Sequence, residues 1–437
     1  MLAGFEQQVM RTTPPAHELV RKADAVRGLI GKDGSELQLT FPGRPPTRIL
    51  FATTAGAGHF GPLVPFARAA RSANAEILVA APGSFEEVVV GAGFPFWPLG
   101  EPAAEDWRAV MGSLDGLTEE EGNRIVIGEI FGRLDGGAAL PGMLAAIDEW
   151  RPDFVVRETT EYASLVAAEA RDVRHVHVAI GVLAGDALAV PAAEPAVNDL
   201  RASLGLAADP NLSAHRRAPT WTLSPVSLED PALQGPPQTS RFRDPAGDIE
   251  ARASEPQGGQ EGEPIVYVTF GTVAPNMGFF PVLYRAVIDA LAHLPIQLVV
   301  TVGRSVDPAD LGPLPANARV ERWIDQSEIL GQARVVVDHG GYGSVLGALT
   351  AGVPQVVLPL FADQPTNAAR VHAVGAGIAL HGAGIPDPGR ALAAVPDLAE
   401  AVRRVLDEPS YTRAARDVAA EIRALPPVDE AIETLMR

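Results

Sequence analysis

Two series of short apolar runs, each run followed by a longer stretch of helical periodicity, constrain this chain more than any other feature. RILFAT (48–53), EILVAA (76–81), PDFVVR (152–157) and HVHVAI (175–180) form the first series; IVYVTF (265–270), IQLVVTV (296–302), ARVVVDH (333–339) and PQVVLP (354–359) form the second. Runs this short, rich in β-branched residues and nearly free of polar ones, read as strands covered on both faces. Such strands belong to parallel sheets flanked by helices. Between the series, GPPQTSRFRDPAGDIEARASEPQGGQEGEP (235–264) has no apolar periodicity and is dense in Pro, Gly, Gln and charge, which reads as a linker. The expected fold class is α/β, with two doubly wound domains facing one another and a ligand site in the cleft at the carboxyl ends of the strands.

The 437 residues suffice for two domains. The expected boundaries are an appendage over 1–46, a first domain over 47–234, the linker over 235–264, a second domain over 265–420 and a C-terminal helix over 421–437. The appendage is turn-rich, with one short amphipathic stretch in HELVRKADAVRGLI (17–30); because the first clear strand starts at Arg48, a leader or an upstream start fits it equally. A formal charge of -19 repels polyphosphate strands and argues against nucleic-acid and anionic-membrane partners, so a phosphate ligand needs local donors. With no cysteine, disulfides, zinc-thiolate sites, iron–sulfur clusters and thiol catalysis are all excluded. No run approaches 18 apolar residues and MLAGFEQQVMRTTPP lacks the order of a signal peptide, so the expected location is cytoplasmic.

Two glycine loops carry the chemistry. In ILFATTAGAGHFGPLVPFARAAR, Gly56, Gly58 and Gly61 match G-x-G-x-x-G, but EILVAAP ends in Ala81 and Pro82 where a dinucleotide site wants an acid, so a nicotinamide or flavin cofactor is not expected. The same loop puts His59 at a strand's carboxyl end, where an imidazole can act as a base or simply bond to backbone. The second loop, Asp338 to Ser344 in DHGGYGS, follows a buried strand and opens a helix of small residues. Glycine N–H groups, the helix start and the side chains of His339 and Ser344 suit an anion; a tight packing turn is the other reading. Asp363 and Gln364 precede the next helix, as sugar-hydroxyl partners or, for Asp363, as a cap. Trp323 and Gln326 follow a strand, where an indole can stack on a base or join the core, and Gly271 and Thr272 follow the first strand of the second series.

From Arg48 to Arg437 these motifs, GHFGPLVP, FGT, W-x-x-Q, HGGYGS, GVPQVVLP and ADQPTNAARV, stand in one order, and the chain resembles the inverting UDP-glycosyltransferase family, of the actinobacterial antibiotic and macrolide type. The resemblance implies the GT-B fold, two Rossmann-like domains about a cleft, with the C-terminal helix packing back on the N-terminal domain. It implies His59 as general base, oriented by Glu158 where relatives carry an Asp, with Glu161 nearby. It implies Gly271, Thr272, His339, Gly341, Gly343 and Ser344 around the diphosphate, Trp323, Ile324 and Gln326 at the base and ribose, and Asp363 and Gln364 on the sugar. Phe60 and Phe131 are expected at a bulky apolar aglycone, in a region also holding Phe96, Trp97, Trp107 and Met143; Phe131 and these four fit the core equally.

W-I-D-Q departs from the plant-type W-A-P-Q, and Gly347 stands where plant enzymes place a glutamate on the ribose hydroxyls, which favours a dTDP-sugar over a UDP-sugar donor. With no D-x-D triplet in the chain, no metal and no cofactor beyond the donor is expected. The implied activity is metal-independent transfer of a sugar or deoxysugar to an aglycone hydroxyl with inversion. A sugar-nucleotide epimerase and a non-catalytic nucleotide-sugar-binding protein are the alternatives, and a homodimer is left open.

Overall fold

The structure, a computed structural model, describes residues 46–437 except 115, 234, 246–261 and 383–385, and the backbone alone of 186–188. The appendage expected over 1–46 and most of the 235–264 segment lie outside the described residues. In the first domain seven parallel strands run β1 Arg48–Ala52, β2 Glu76–Pro82, β3 Phe96–Leu99, β4 Phe154–Glu158, β5 Arg174–Val178, β6 Thr220–Thr222 and β7 Thr239–Arg241, in spatial order β3-β2-β1-β4-β5-β6-β7. In the second, six parallel strands run β8 Ile265–Thr269, β9 Gln297–Thr301, β10 Ala318–Glu321, β11 Ala333–Asp338, β12 Gln355–Val357 and β13 Gly377–Ala379, in order β10-β9-β8-β11-β12-β13. Two Rossmann-like sheets of this kind are the GT-B arrangement.

Each sheet reverses its winding once, between β1 and β4 and between β8 and β11. Those are the crevices in which doubly wound sheets bind ligands. Central strands are buried almost throughout: Ile49, Leu50, Phe51 and Ala52 of β1, and Val335, Val336 and Val337 of β11, have no exposed surface. Helices cover both faces of the first sheet, so Ile49 and Phe51 join one core while Leu50 and Ala52 join another.

The 235–264 segment is corrected at its start. Residues 239–241 add β7 to the open edge of β6, pairing Thr220 with Thr239 and Thr222 with Arg241. An edge strand needs only its backbone to pair, so three residues without apolar alternation suffice. The last boundary also moves: residues 421–424 continue the helix Pro409–Ala424, whose Ala415, Val418 and Ile422 pack with Val345 and Leu349 of the second domain. The separate helix Val428–Met436 buries Val428, Ala431 and Ile432 against Phe51, Phe66 and Trp221 of the first. The domains also meet where Arg370 Nε donates to the Leu228 carbonyl at 2.9 Å and where Val182 and Leu228 pack with Tyr342. Among the described residues no helix is long and apolar enough to cross a membrane.

Candidate active site

At the first winding reversal the chain leaves β1 and turns at Gly56, whose φ of 152° is rarely adopted by other residues, into the short helix Ala57–Phe60. This carries His59 beside the end of β4. Its side chain is 22% exposed, while Glu158, the last residue of β4, has no exposed surface. The His59 Nδ1 lies 3.3 Å from Glu158 Oε1. Glu158 also accepts from Thr54 N at 3.2 Å, Thr54 Oγ1 at 3.0 Å and Thr160 N at 2.7 Å, and Thr160 Oγ1 sits 3.1 Å from both carboxylate oxygens and 3.0 Å from His59 Nδ1.

Electrostatics follow from this packing. Burial pushes the Glu158 carboxyl up, but the His59 charge and the Thr160 and Thr54 N–H groups prevail and hold it below its ordinary value. Burial alone would lower the His59 pKa; the charge and hydrogen bond of Glu158, then Asp363 and Asp135, outweigh it and raise it. Glu161 is not the partner. It is buried at the start of the helix Tyr162–Ala170, accepts from Ser164 N at 2.8 Å, and is pushed up to about 7 by burial.

Phe131 flanks the imidazole, with ring centroids 5.2 Å apart and planes tilted by 46°. It belongs to a π-helical segment, Val126–Asp135, a rare geometry often found at functional sites. Asp135 closes that segment, and burial pushes its carboxyl up to about 6, with His59 opposing and Glu158 and Glu101 adding. Phe131, Asp135, Thr54 and Thr160 line a cavity of about 20 Å³, the size of one water. The expectation for Phe60 is corrected: it is 3% exposed and meets Phe85 and Phe94 edge-on at 5.9 and 6.2 Å, so it is core. Met143 is core as well, and Trp97 is held by Nε1 donating to the Gly142 carbonyl at 3.1 Å.

The second reversal brings the glycine loops of β8 and β11 together around His339. A Cβ on Gly271 would lie 2.8 Å from His339 Nε2 and one on Gly341 2.5 Å from the same atom, so both glycines are required by the ring. Gly340, at φ 82°, would carry a Cβ 2.8 Å from the Gln364 carbonyl. Gly343, exposed in the first turn of the helix Tyr342–Thr350, would meet nothing within 4 Å, and Ser344 follows it. Burial with no charged partner pushes His339 down to about 4, so it is neutral. Thr272 is exposed beside Gly271.

Trp323 is 54% exposed with the Arg304 guanidinium 4.5 Å from its ring centre, and Ile324 packs partly against the core beneath. Gln326 opens the helix Gln326–Leu330, and a Cβ on Gly347 would lie 3.4 Å from its carboxamide, in van der Waals contact, so the two positions are neighbours. Asp363 accepts from Asn367 Nδ2 at 2.9 Å and makes no cap bond to its helix, so it stands open to the cleft. A Cβ on Gly181 of the first domain would lie 3.3 Å from its Oδ2. Gln364, expected beside it, is buried. Its Oε1 accepts from Leu360 N and Phe361 N, both at 2.9 Å, so it shapes the loop and keeps only its NH2 for a ligand.

Residues 285–437 match a family model described as "Erythromycin biosynthesis protein CIII-like, C-terminal domain". The chain is 32% identical over 401 residues to L-demethylnoviosyl transferase of Streptomyces niveus, covering 87% of this chain and 100% of that one. It belongs to the antibiotic glycosyltransferase family. Elloramycin glycosyltransferase ElmGT of Streptomyces olivaceus is 29% identical over 407 residues, covering 88% and 96%. The glycosyltransferase SsfS6 of Streptomyces sp. SF2575, solved in complex with thymidine diphosphate, superposes with a TM-score of 0.68 at 27% identity, covering 89% of this chain and 99% of that one. The chain is thus a glycosyltransferase. Among the described residues of this enzyme, no group of three or more His, Asp or Glu could hold a metal ion. Thr54, Thr160, Asp135 and Asn367 escape a reading of the sequence; the one signal is position, since Thr160 follows Glu158 by two residues at a strand end and Asn367 follows Asp363 by one helical turn.

Proposed function

We propose that this glycosyltransferase moves a sugar from a nucleoside-diphosphate sugar to a hydroxyl of a bulky apolar aglycone, in one in-line displacement with inversion and without a metal ion. The observation that carries this reading is the imidazole–carboxylate pair at one winding reversal, set across a cleft from a helix start and neutral histidine at the other. His59 takes the acceptor hydroxyl's proton as the oxygen attacks the anomeric carbon, and ionised Glu158 stabilises the imidazolium that forms. Base and leaving-group cradle sit on opposite walls, which supports attack from the face opposite the departing diphosphate. The N–H groups opening Tyr342–Thr350 and a neutral N–H of His339 receive the diphosphate charge. Asp363, whose charge is felt at His59, takes sugar hydroxyls between them.

The donor is a dTDP-sugar. Gln326 lies where a residue at 347 would reach a ribose hydroxyl, and the structural relative SsfS6 holds thymidine diphosphate. Phe131, tilted over His59, forms an apolar wall for the aglycone. The test is product analysis with dTDP-sugars and an aglycone panel, with and without excess chelator, and with donor alone. Expected are an acceptor-linked sugar of inverted anomeric configuration and turnover unaffected by chelator. Retained configuration or chelator-abolished turnover would overturn the mechanism; a sugar altered with donor alone would point to an epimerase.

A further inference from the structure

We infer that Thr160 is a positioning residue that sets which ring nitrogen of His59 carries the hydrogen, making the pair at the first winding reversal a His–Thr–Glu triad. The inference follows from counting donors. An ionised Glu158 only accepts hydrogen bonds, whereas the Thr160 hydroxyl has one hydrogen to give and lone pairs to accept with. Both Glu158 oxygens lie 3.1 Å from that hydroxyl, so its hydrogen goes to the carboxylate. Towards His59 Nδ1, at 3.0 Å, the hydroxyl is left as an acceptor, and Nδ1 must carry the hydrogen. The lone pair of neutral His59 then sits on Nε2, away from the buried carboxylate, where a base needs it.

Glu158 alone holds this arrangement less well. Its direct distance to Nδ1 is 3.3 Å, beyond the usual 2.7–3.2 Å of an N–H···O bond, whereas Thr160 is within it. A glutamate also has one more rotatable bond than an aspartate. Thr160 removes that freedom twice, by its N–H on Oε2 at 2.7 Å and by its hydroxyl on both oxygens. It thus ties the longer acid to the imidazole and shares the Nδ1 hydrogen with it. The placement of the hydrogen stands independently of the proposed reaction; only its effect on rate rests on that reading.

The test is nitrogen-15 NMR of the full chain at alkaline pH, with His59 assigned by its loss in His59→Gln. In the wild type, Nδ1 is expected protonated and Nε2 bare. In Thr160→Val the hydrogen should redistribute towards Nε2, the form a solvated imidazole favours, and Thr160→Ser should restore the wild-type pattern; Thr160→Ala replaces the valine variant if that does not fold. Turnover by Thr160→Val should fall about tenfold in kcat, a fraction of what a positioned base contributes, with KM for the donor unchanged. Unaltered His59 nitrogen shifts in Thr160→Val and Thr160→Ala would overturn the inference. A wild-type protein protonated on Nε2 would overturn it too, whereas the expected tautomers in a wild type and variants that transfer no sugar would leave the triad standing and remove the proposed reaction.

Discussion

Replacing Glu158 by Gln separates charge from shape at the His59–Glu158 pair. The carboxylate lies 3.3 Å from Nδ1 with no exposed surface, so at an effective dielectric of about 20 its gross attraction for an imidazolium is about 5 kcal/mol. Burial of the imidazolium opposes this, and the net result is a His59 pKa above the ordinary value of about 6.5. Glutamine removes the attraction, leaves the burial, and offers Nδ1 an NH2 group that favours the wrong tautomer. A loss of about 10²- to 10⁴-fold in kcat/KM is expected, equivalent to about 3–5 kcal/mol of transition-state stabilisation. The sign of the pH effect is also defined. Only neutral His59 is a base, so wild-type kcat/KM should rise with pH through a pKa above about 6.5, and in Glu158→Gln this limb should move below it. The assay is nucleoside-diphosphate release from pH 5 to 9, with dTDP binding measured to show an intact donor site. A loss under tenfold, or an acid limb that stays in place, would refute the pairing as the source of base strength.

Gly341→Ala puts a methyl group 2.5 Å from His339 Nε2, so the ring must move; about 1–3 kcal/mol of stability and about tenfold in dTDP affinity should be lost, read by thermal melting and calorimetry. Gly343→Ala meets nothing in the fold and should melt as the wild type does while still weakening dTDP, since the ligand's approach is what it obstructs. Phe60→Ala empties a core site and should cost about 3–5 kcal/mol in denaturant unfolding, whereas Phe131→Ala, at a partly buried ring packed on the edge of a core cluster, should cost less stability than Phe60→Ala and raise the acceptor KM. Gly347→Glu places a carboxylate beside the Gln326 carboxamide at the proposed ribose site, so the preference for dTDP over UDP should shrink about tenfold in paired titrations.

The central strands were legible because a parallel strand buried on both faces must be apolar along its length, as RILFA and RVVVD are. The edge strands were not: TSR of β7 and GIA of β13 pair through backbone, and their side chains carry no required pattern. His59 was legible from its place after β1, but the same logic misled at Phe60. Adjacent residues on a helix point about 100° apart, so a His59 turned to the cleft leaves Phe60 turned to the core. Gln364 next to Asp363 repeats the case, one side chain open and its neighbour folded into the loop. Thr160 and Asp135 were illegible for another reason: hydroxyl and carboxyl residues are common at strand and helix ends, and only the hydrogen bonds of Thr160 and the charge interaction of Asp135 with His59 and Glu158 distinguish these two.

Two histidines lie beyond central strands that flank a winding reversal, His59 in the helix after β1 and His339 directly after β11, and the fold shifts their proton affinities in opposite directions. His59 faces Glu158 with Asp363 and Asp135 nearby, and three negative charges lift its pKa. His339 is walled by Gly271 and Gly341, has no carboxylate partner, and is pushed down to about 4. For an in-line displacement this division has a use. Under the proposed reaction, the histidine assigned to collect the acceptor's proton binds protons more readily, and the one assigned to the leaving diphosphate stays a neutral N–H donor that does not compete for it. In the proposed donor site of a chain of net charge -19, a neutral donor and a helix start would also receive a diphosphate without a cation whose attraction would have to be overcome when the product leaves. Exchanging the two environments would strand a protonated histidine on the donor side and a weak base on the acceptor side.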